Sequence, residues 1–182
     1  MNIKVNSLIS LELINESHAL PIFELVDQNR TYLREWLSFV DRMNTVSFAE
    51  NFVKGTLERN QDGQEYAFVI TDSGEMVGRV GVYKIDQQNK IGEVGYWLEE
   101  KAQGKGIITS ACKALISFCF HDLHLNRIEI KCGTENVRSQ SIPTKLGFHK
   151  EGIIRQGEWA HDKYINLYLY SLLESEFSEH EK

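Results

Sequence analysis

Tyr96-Trp97-Leu98-Glu99-Glu100-Lys101-Ala102-Gln103-Gly104-Lys105-Gly106-Ile107-Ile108-Thr109 runs from an apolar strand, through a short glycine-containing loop, into a helix. The first turn of a helix carries N–H groups without intrahelical partners and the positive end of the helix dipole. Glycines ahead of it let an anion approach the backbone closely, so the segment suits a pyrophosphate. The spacing is not that of a P-loop, which needs Gly-Lys-Ser/Thr at its end. Nor is it the Gly-x-Gly-x-x-Gly of a dinucleotide fold. Read locally, Gly104-Lys105-Gly106 is equally compatible with plain turn chemistry.

Working outward, Ile91–Leu98 reads as the strand feeding this loop. Ile108 to Phe120 reads as the helix, with Ile108, Ala111, Cys112, Leu115, Phe118 and Cys119 on one face. Upstream, Ser7–Leu13 alternates as a half-buried strand does. Ser17 is the expected N-cap of a helical stretch from Ala19 to Val40, broken near Asn29. Ser47-Phe48-Ala49-Glu50 fits a capping box opening a third helix. Glu65–Thr71 and Met76–Lys84 flank Asp72-Ser73-Gly74 as a hairpin. Downstream come a strand at Arg127–Cys132 and a short helix at Ser139–Leu146, with Ser139 its expected N-cap and Gly147 its stop. Phe148–Arg155 and Tyr164–Leu172 are two closing strands, with Glu158 in the loop between them, and a polar tail at Ser175–Lys182 is expected to fray. The order is strand, helices, three strands, helix, strand, helix, two strands. It predicts an α/β fold with a mixed sheet, neither doubly wound nor a barrel, built as one domain over 182 residues.

Composition narrows the function classes. A formal net charge of −6 argues against a nucleic-acid-binding domain, which should be basic. Three cysteines cannot pair fully. Cys112 and Cys119 share a helix face and read as buried thiols in a reducing compartment. Met1 to Ser10 lacks the apolar run of a signal peptide, and no stretch approaches the roughly 20 apolar residues of a membrane span. The cytoplasm is the expected location. The histidine spacing suggests no metal site.

Gln103-x-x-Gly106-x resembles the Gln/Arg-x-x-Gly-x-Gly/Ala motif of the GNAT superfamily of acyltransferases, with Ile108 where Gly or Ala is usual. Asn136-x-x-Ser139 followed by Lys145-Leu146-Gly147-Phe148 resembles a second region of that superfamily. There the tyrosine often found two residues before the Lys is replaced by Pro143. Three stretches are similar to the Rim-type ribosomal-protein N-acetyltransferases. They are Asn29-Arg30-x-Tyr32-Leu33-Arg34-x-Trp36-Leu37, then Ile130-Lys131-Cys132, and Glu151-Gly152 with Gln156-x-Glu158 and Asp162-x-Tyr164.

The resemblance implies a GNAT fold, in which a twisted mixed sheet is flanked by helices and Ile91–Leu98 splays from Arg127–Cys132 to admit the pantetheine arm. It implies acetyl-CoA as cosubstrate and no metal. Contacts to coenzyme A are expected from Trp97, Leu98, Gln103, Gly104, Lys105, Gly106, Ile107, Ile108, Thr109, Asn136, Ser139 and Lys145. Glu158 is the expected base, and Ser139 the group that hydrogen-bonds the departing thiolate. Arg30, Tyr32, Arg34 and Trp36 are the expected acceptor-binding residues, although core packing and a solvated face account for the same spacing. Cys132 is placed near the acetyl-bearing thiol, which leaves a mixed disulfide with coenzyme A open. The acceptor implied is a protein N-terminal amine. A polyamine or aminoglycoside acceptor, a non-catalytic acyl-CoA-binding module and a homodimer all remain open from sequence.

Overall fold

A computed structural model describes residues 1–180. Eight strands form one sheet in the order β1-β2-β3-β4-β5-β6-β8-β7. In chain order they are β1 (Asn2–Lys4), β2 (Ile9–Leu13), β3 (Tyr66–Asp72), β4 (Glu75–Asp86), β5 (Ile91–Leu98), β6 (Arg127–Gly133), β7 (His149–Ala160) and β8 (Lys163–Leu173). The helices are α1 (Ala19–Gln28), α2 (Arg30–Arg34), α3 (Val46–Gln61), α4 (Ile107–His121), α5 (Val137–Lys145) and α6 (Glu174–His180). The polar tail is thus helical through His180 instead of frayed, and residues 181–182 lie outside the described part.

Two apolar layers sandwich the sheet, and strand alternation builds both. Phe68 and Ile70 of β3 pack with Ile107, Ala111, Cys112, Leu115 and Cys119 of α4. Their neighbours Ala67 and Val69 face α1 and α3, among Ile22, Val26, Ala49 and Val53. Period-2 strands and a period-3.6 helix stripe thereby fit one plane from two sides. On α4 it is Ile107 that is fully buried, while Ile108 packs at the edge of the core.

The caps differ from the sequence reading. Asn15, not Ser17, is the first cap, and Ser17 donates to Asn15 Oδ1 through both its N–H and its hydroxyl. Thr45 caps α3, its hydroxyl accepting from Phe48 N–H at 3.1 Å, and Ser47 lies inside the helix. Asn136 caps α5 by accepting from Ser139 N–H at 3.0 Å, so Ser139 sits in the first turn. A helix that starts two residues early makes Pro143 its seventh residue.

The sheet opens where it matters. β5 and β6 are parallel neighbours only over Ile91, Gly92 and Glu93 against Arg127, Ile128 and Glu129. Beyond Glu93 they diverge. Glu93 marks the fork, bonded to Lys131 Nζ at 2.7 Å and Lys84 Nζ at 3.1 Å. Burial works against its charge, yet Lys131 and then Lys84 hold its carboxyl below the ordinary value. Along the free edge of β5, Glu99 N–H turns back to Val77 O on β4 at 2.8 Å. The pleat therefore directs the Leu98 N–H the other way, into the opening.

β4 and β5 meet unusually closely there. A Cβ on Gly78 would lie 2.3 Å from Trp97 O and 2.9 Å from Leu98 Cα, both backbone atoms. Gly78→Ala is expected to cost about 1–3 kcal/mol, the range for overpacking, read as a lower urea midpoint at unchanged m-value. A midpoint equal to wild type would mean that β5 gives way freely at this point.

Candidate active site

The opening between β5 and β6 continues into a cavity of about 730 Å³. Its walls bring together residues far apart in sequence. Tyr32, Leu33, Trp36 and Leu37 come from α2 and the turn after it. Tyr96, Trp97 and Leu98 come from β5, and Gln103, Gly104, Gly106, Ile107, Ile108 and Thr109 from the loop and start of α4. Asn136, Arg138, Ser139, Ser141, Ile142 and Lys145 come from α5 and its cap, Lys131, Cys132 and Gly133 from β6, and Glu158 and Ile165 from the β7–β8 hairpin. Asn29, at the junction of α1 and α2, accepts from Glu100 N–H at 3.1 Å, which ties α2 to the loop after β5.

The loop before α4 fits a diphosphate. Gly104 and Gly106 have φ of +74° and +75°, a region that L side chains rarely adopt. A Cβ on either would meet no atom within 4 Å, because both face the open cleft. Gly106 is the N-cap of α4 and no side chain caps that end, so the N–H groups of Ile107, Ile108 and Thr109 are free to bind an anion. Gln103 Nε2 is buried with no hydrogen-bond partner among the described residues, while its Oε1 accepts from Arg138 Nη1 at 3.1 Å. Ile108 at the usual Gly/Ala position does not block the cradle, since its side chain leans on the core.

Deeper in, Tyr96, Ser139 and Cys132 form one cluster. Tyr96 Oη donates to Ser139 O at 2.9 Å. Ser139 Oγ lies 3.3 Å from both Tyr96 Oη and Cys132 Sγ. Burial pushes the Tyr96 phenol and the Cys132 thiol up, so both are neutral near pH 7.

Glu158 stands in strand β7 and not in a loop. Register slips between Ile154 and Glu158, so Arg155, Gln156 and Gly157 bulge out while Glu158 pairs with Ile165. Asn166 secures the bulge, its Oδ1 accepting from Gln156 N–H at 2.8 Å, with Gln156 at φ +50°. The bulge turns the Glu158 carboxylate to the cavity, where Ser38 Oγ donates to its Oε1 at 3.4 Å.

Three of the sequence-derived site residues lie elsewhere. Lys105 is exposed and does not line the cavity. Arg30 holds the fold: its guanidinium bonds Asp27 and the carbonyls of Val40 and Met43, the latter two at 2.7 Å. Arg34 pairs with Asp41 at 2.6 Å and lines a second cavity of about 400 Å³ with Ser38, Asp41, Arg42, Trp159, His161 and Asp162. Ser38 joins the two cavities, since it lines the smaller and bonds Glu158 in the larger. Sequence reading gave no role to Ser38, Arg42 or Trp159. Trp159 alone carried a signal, as an aromatic side chain in a closing hairpin. Among the described residues no group of His, Cys, Asp and Glu is placed to hold a metal ion, and no helix is long and apolar enough to cross a membrane.

This geometry has counterparts. Residues 9–149 match the acetyltransferase (GNAT) domain family. The putative ribosomal N-acetyltransferase YdaF of Bacillus subtilis (strain 168) is 33% identical, over 96% of each chain. The ribosomal-protein-serine acetyltransferase of Escherichia coli (strain K12) is 32% identical, over 93% of this chain and 94% of its own. Among solved structures, RimL, a ribosomal L7/L12 alpha-N-protein acetyltransferase bound to coenzyme A through a cysteine disulfide, superposes with a TM-score of 0.92. It is 26% identical and the match covers 95% of this chain and 98% of that one. With the splayed strands, the glycine cradle and the family match in agreement, this chain belongs to the GNAT acetyltransferases, as an enzyme that uses acetyl-CoA to acetylate an amine.

Proposed function

We propose that residues 1–182 act as a single domain that acetylates the α-amino group of a protein N-terminus, in the reducing cytoplasm. The observation that carries this reading is the second cavity beside Glu158, joined to the first through Ser38. A polyamine or aminoglycoside would carry further cations past its reacting amine, and the second cavity, with Arg34 and Arg42 against Asp41 and Asp162, has no net negative charge to receive them. A polypeptide continues past its reacting amine and needs a place for its following residues. The names of the two ribosomal relatives point the same way.

In this reading the cradle from Gln103 to Thr109 holds the pyrophosphate of acetyl-CoA, with Arg138 and Lys145 beside it. Asn136 and the free edge of β5 face the pantetheine arm. Tyr32 and Trp36 wall the acceptor side. Glu158 takes the proton from the attacking amine, directly or through a water. The neutral amine attacks the thioester in a ternary complex, where holding both reactants supplies much of the rate. The Leu98 N–H stabilises the developing oxyanion, and the Ser139 hydroxyl hydrogen-bonds the thiolate as it leaves.

The test is a panel of short peptides with free N-termini, ribosomal proteins, spermidine and an aminoglycoside, with products located by mass spectrometry. Acetylation confined to peptide N-termini is expected. Turnover of spermidine alone would make the enzyme a small-amine acetyltransferase, and acetyl-CoA binding without thiol release on any amine would make the chain a binding module.

A charge test follows from the second cavity. Its formal charges balance, with Arg34 and Arg42 against Asp41 and Asp162. Arg34→Glu/Arg42→Glu leaves four carboxylates there. KM for a peptide acidic at its second and third residues is expected to rise about tenfold and KM for a basic one to fall, at unchanged acetyl-CoA affinity. Arg30 is left intact because its loss would release two main-chain carbonyls. Equal KM shifts for acidic and basic peptides would take the second cavity out of acceptor binding.

A further inference from the structure

Pro143 lies two turns into α5 and has no N–H to offer the carbonyl four residues back. That carbonyl belongs to Ser139. Its donor comes from across the cleft instead: Tyr96 Oη on β5 gives it a hydrogen bond of 2.9 Å. The phenol proton is thereby committed, so toward Ser139 Oγ, at 3.3 Å, the Tyr96 oxygen is only an acceptor, and the single hydroxyl proton of Ser139 can turn from it to Cys132 Sγ, also at 3.3 Å, or to a thiolate in the cavity. The phenol thus fixes the main chain of Ser139 and, through it, the place of the hydroxyl. It also ties β5 to α5 across the opening that the splay of β5 from β6 leaves. Burial raises the phenol's pKa, so this donor keeps its proton throughout the working pH range.

We propose that Tyr96 is the positioning residue for Ser139: it replaces the helical hydrogen bond that Pro143 withholds and so fixes the Ser139 hydroxyl beside Cys132 Sγ, facing the cavity. The inference rests on the reading that this hydroxyl serves the departing thiolate. Tyr96 itself exchanges no proton with substrate. It acts through Ser139, and Pro143 is what makes it necessary. A helix with an ordinary residue at 143 would hold the Ser139 carbonyl by itself.

Four variants test this by steady-state kinetics on the best acceptor, with circular dichroism to verify folding. Tyr96→Phe keeps the ring and removes the hydroxyl. Its kcat is expected to fall about tenfold, for loss of the hydrogen bond that holds the Ser139 carbonyl, while KM for acetyl-CoA stays within twofold. Ser139→Ala/Tyr96→Phe should be no slower than Ser139→Ala by more than about twofold, because the phenol acts through that hydroxyl. Tyr96→Phe/Pro143→Ala returns an N–H to the carbonyl and should recover several-fold of the lost kcat. A Tyr96→Phe enzyme as fast as wild type beside a slow Ser139→Ala overturns the inference alone. So do losses that multiply in the first double variant, a loss seen only in KM, or a second double variant with no recovery. A Ser139→Ala enzyme as fast as wild type removes Ser139 from the mechanism, and this inference with it.

Discussion

Glu158→Gln is expected to lower kcat by roughly 10²–10⁴, the range for loss of a general base, with acetyl-CoA affinity nearly unchanged. An α-amino group has a pKa near 8, so at neutral pH most of it carries the proton that must leave before attack. The β7 bulge sets the Glu158 carboxylate at the junction of the two cavities, on a strand and not on a free loop. Ser38 holds one of its oxygens, and glutamine preserves that contact because its amide oxygen accepts equally well. The substitution thus removes the base while keeping shape. Raising the pH should restore part of the lost rate, since the free amine then forms without help. The measurement is kcat against pH for both proteins on the best acceptor. A kcat within a few-fold of wild type at pH 7 would take Glu158 out of the chemistry and leave proximity as the main source of rate.

Gly106→Val should weaken acetyl-CoA binding by about a hundredfold or more. Two costs act together. Valine at φ +75° is strained, by roughly 1–2 kcal/mol. Its side chain would also stand in the open cradle ahead of α4, where a Cβ meets no protein atom within 4 Å. An anion pushed from that place loses charge-assisted hydrogen bonds to the first N–H groups of the helix, each worth about 1.5–3 kcal/mol. The helix itself should persist, since all of its buried face but Ile107 lies one turn and more beyond, from Ala111 to Phe120. Calorimetry on a folded Gly106→Val protein decides the matter: an unchanged dissociation constant would place the pyrophosphate elsewhere.

Much of this architecture was legible in the sequence because the signals were local. The strand–glycine loop–helix segment declared the glycine turn and the start of α4, since a helix end and a positive φ depend on neighbours a few residues away. The alternation of Ile128, Ile130 and Cys132 marked a strand with one buried side, and all three are buried. The splay of β5 from β6 came from family resemblance and not from residue patterns, and its fork at Glu93 is visible only in the pairing.

Where local signals competed, the reading slipped by two or three residues. Ser17, Ser47 and Ser139 each sit near a true cap, but Asn15, Thr45 and Asn136 took that role. All are residues whose side chains can accept from a nearby N–H, and the choice among them falls to the backbone entering each helix. Arg30 and Arg34, four apart on paper, parted company because α2 ends at Arg34 and the chain then folds back over it. One arginine became a brace for Val40 and Met43, the other a wall of the second cavity.

By itself the sequence determined the elements, the apolar face of α4, and the glycine turn ahead of it, because each is set by periodicity or by dihedral limits within one segment. Only the tertiary structure decided that β8 inserts between β6 and β7, that a bulge carries Glu158 into the cleft, and that a phenol on β5 answers a proline on α5. Those relations join residues tens of positions apart. They depend on strand register and sheet order, which no local pattern encodes, because a one-residue slip would leave the sequence unchanged and turn each of these side chains to the opposite face.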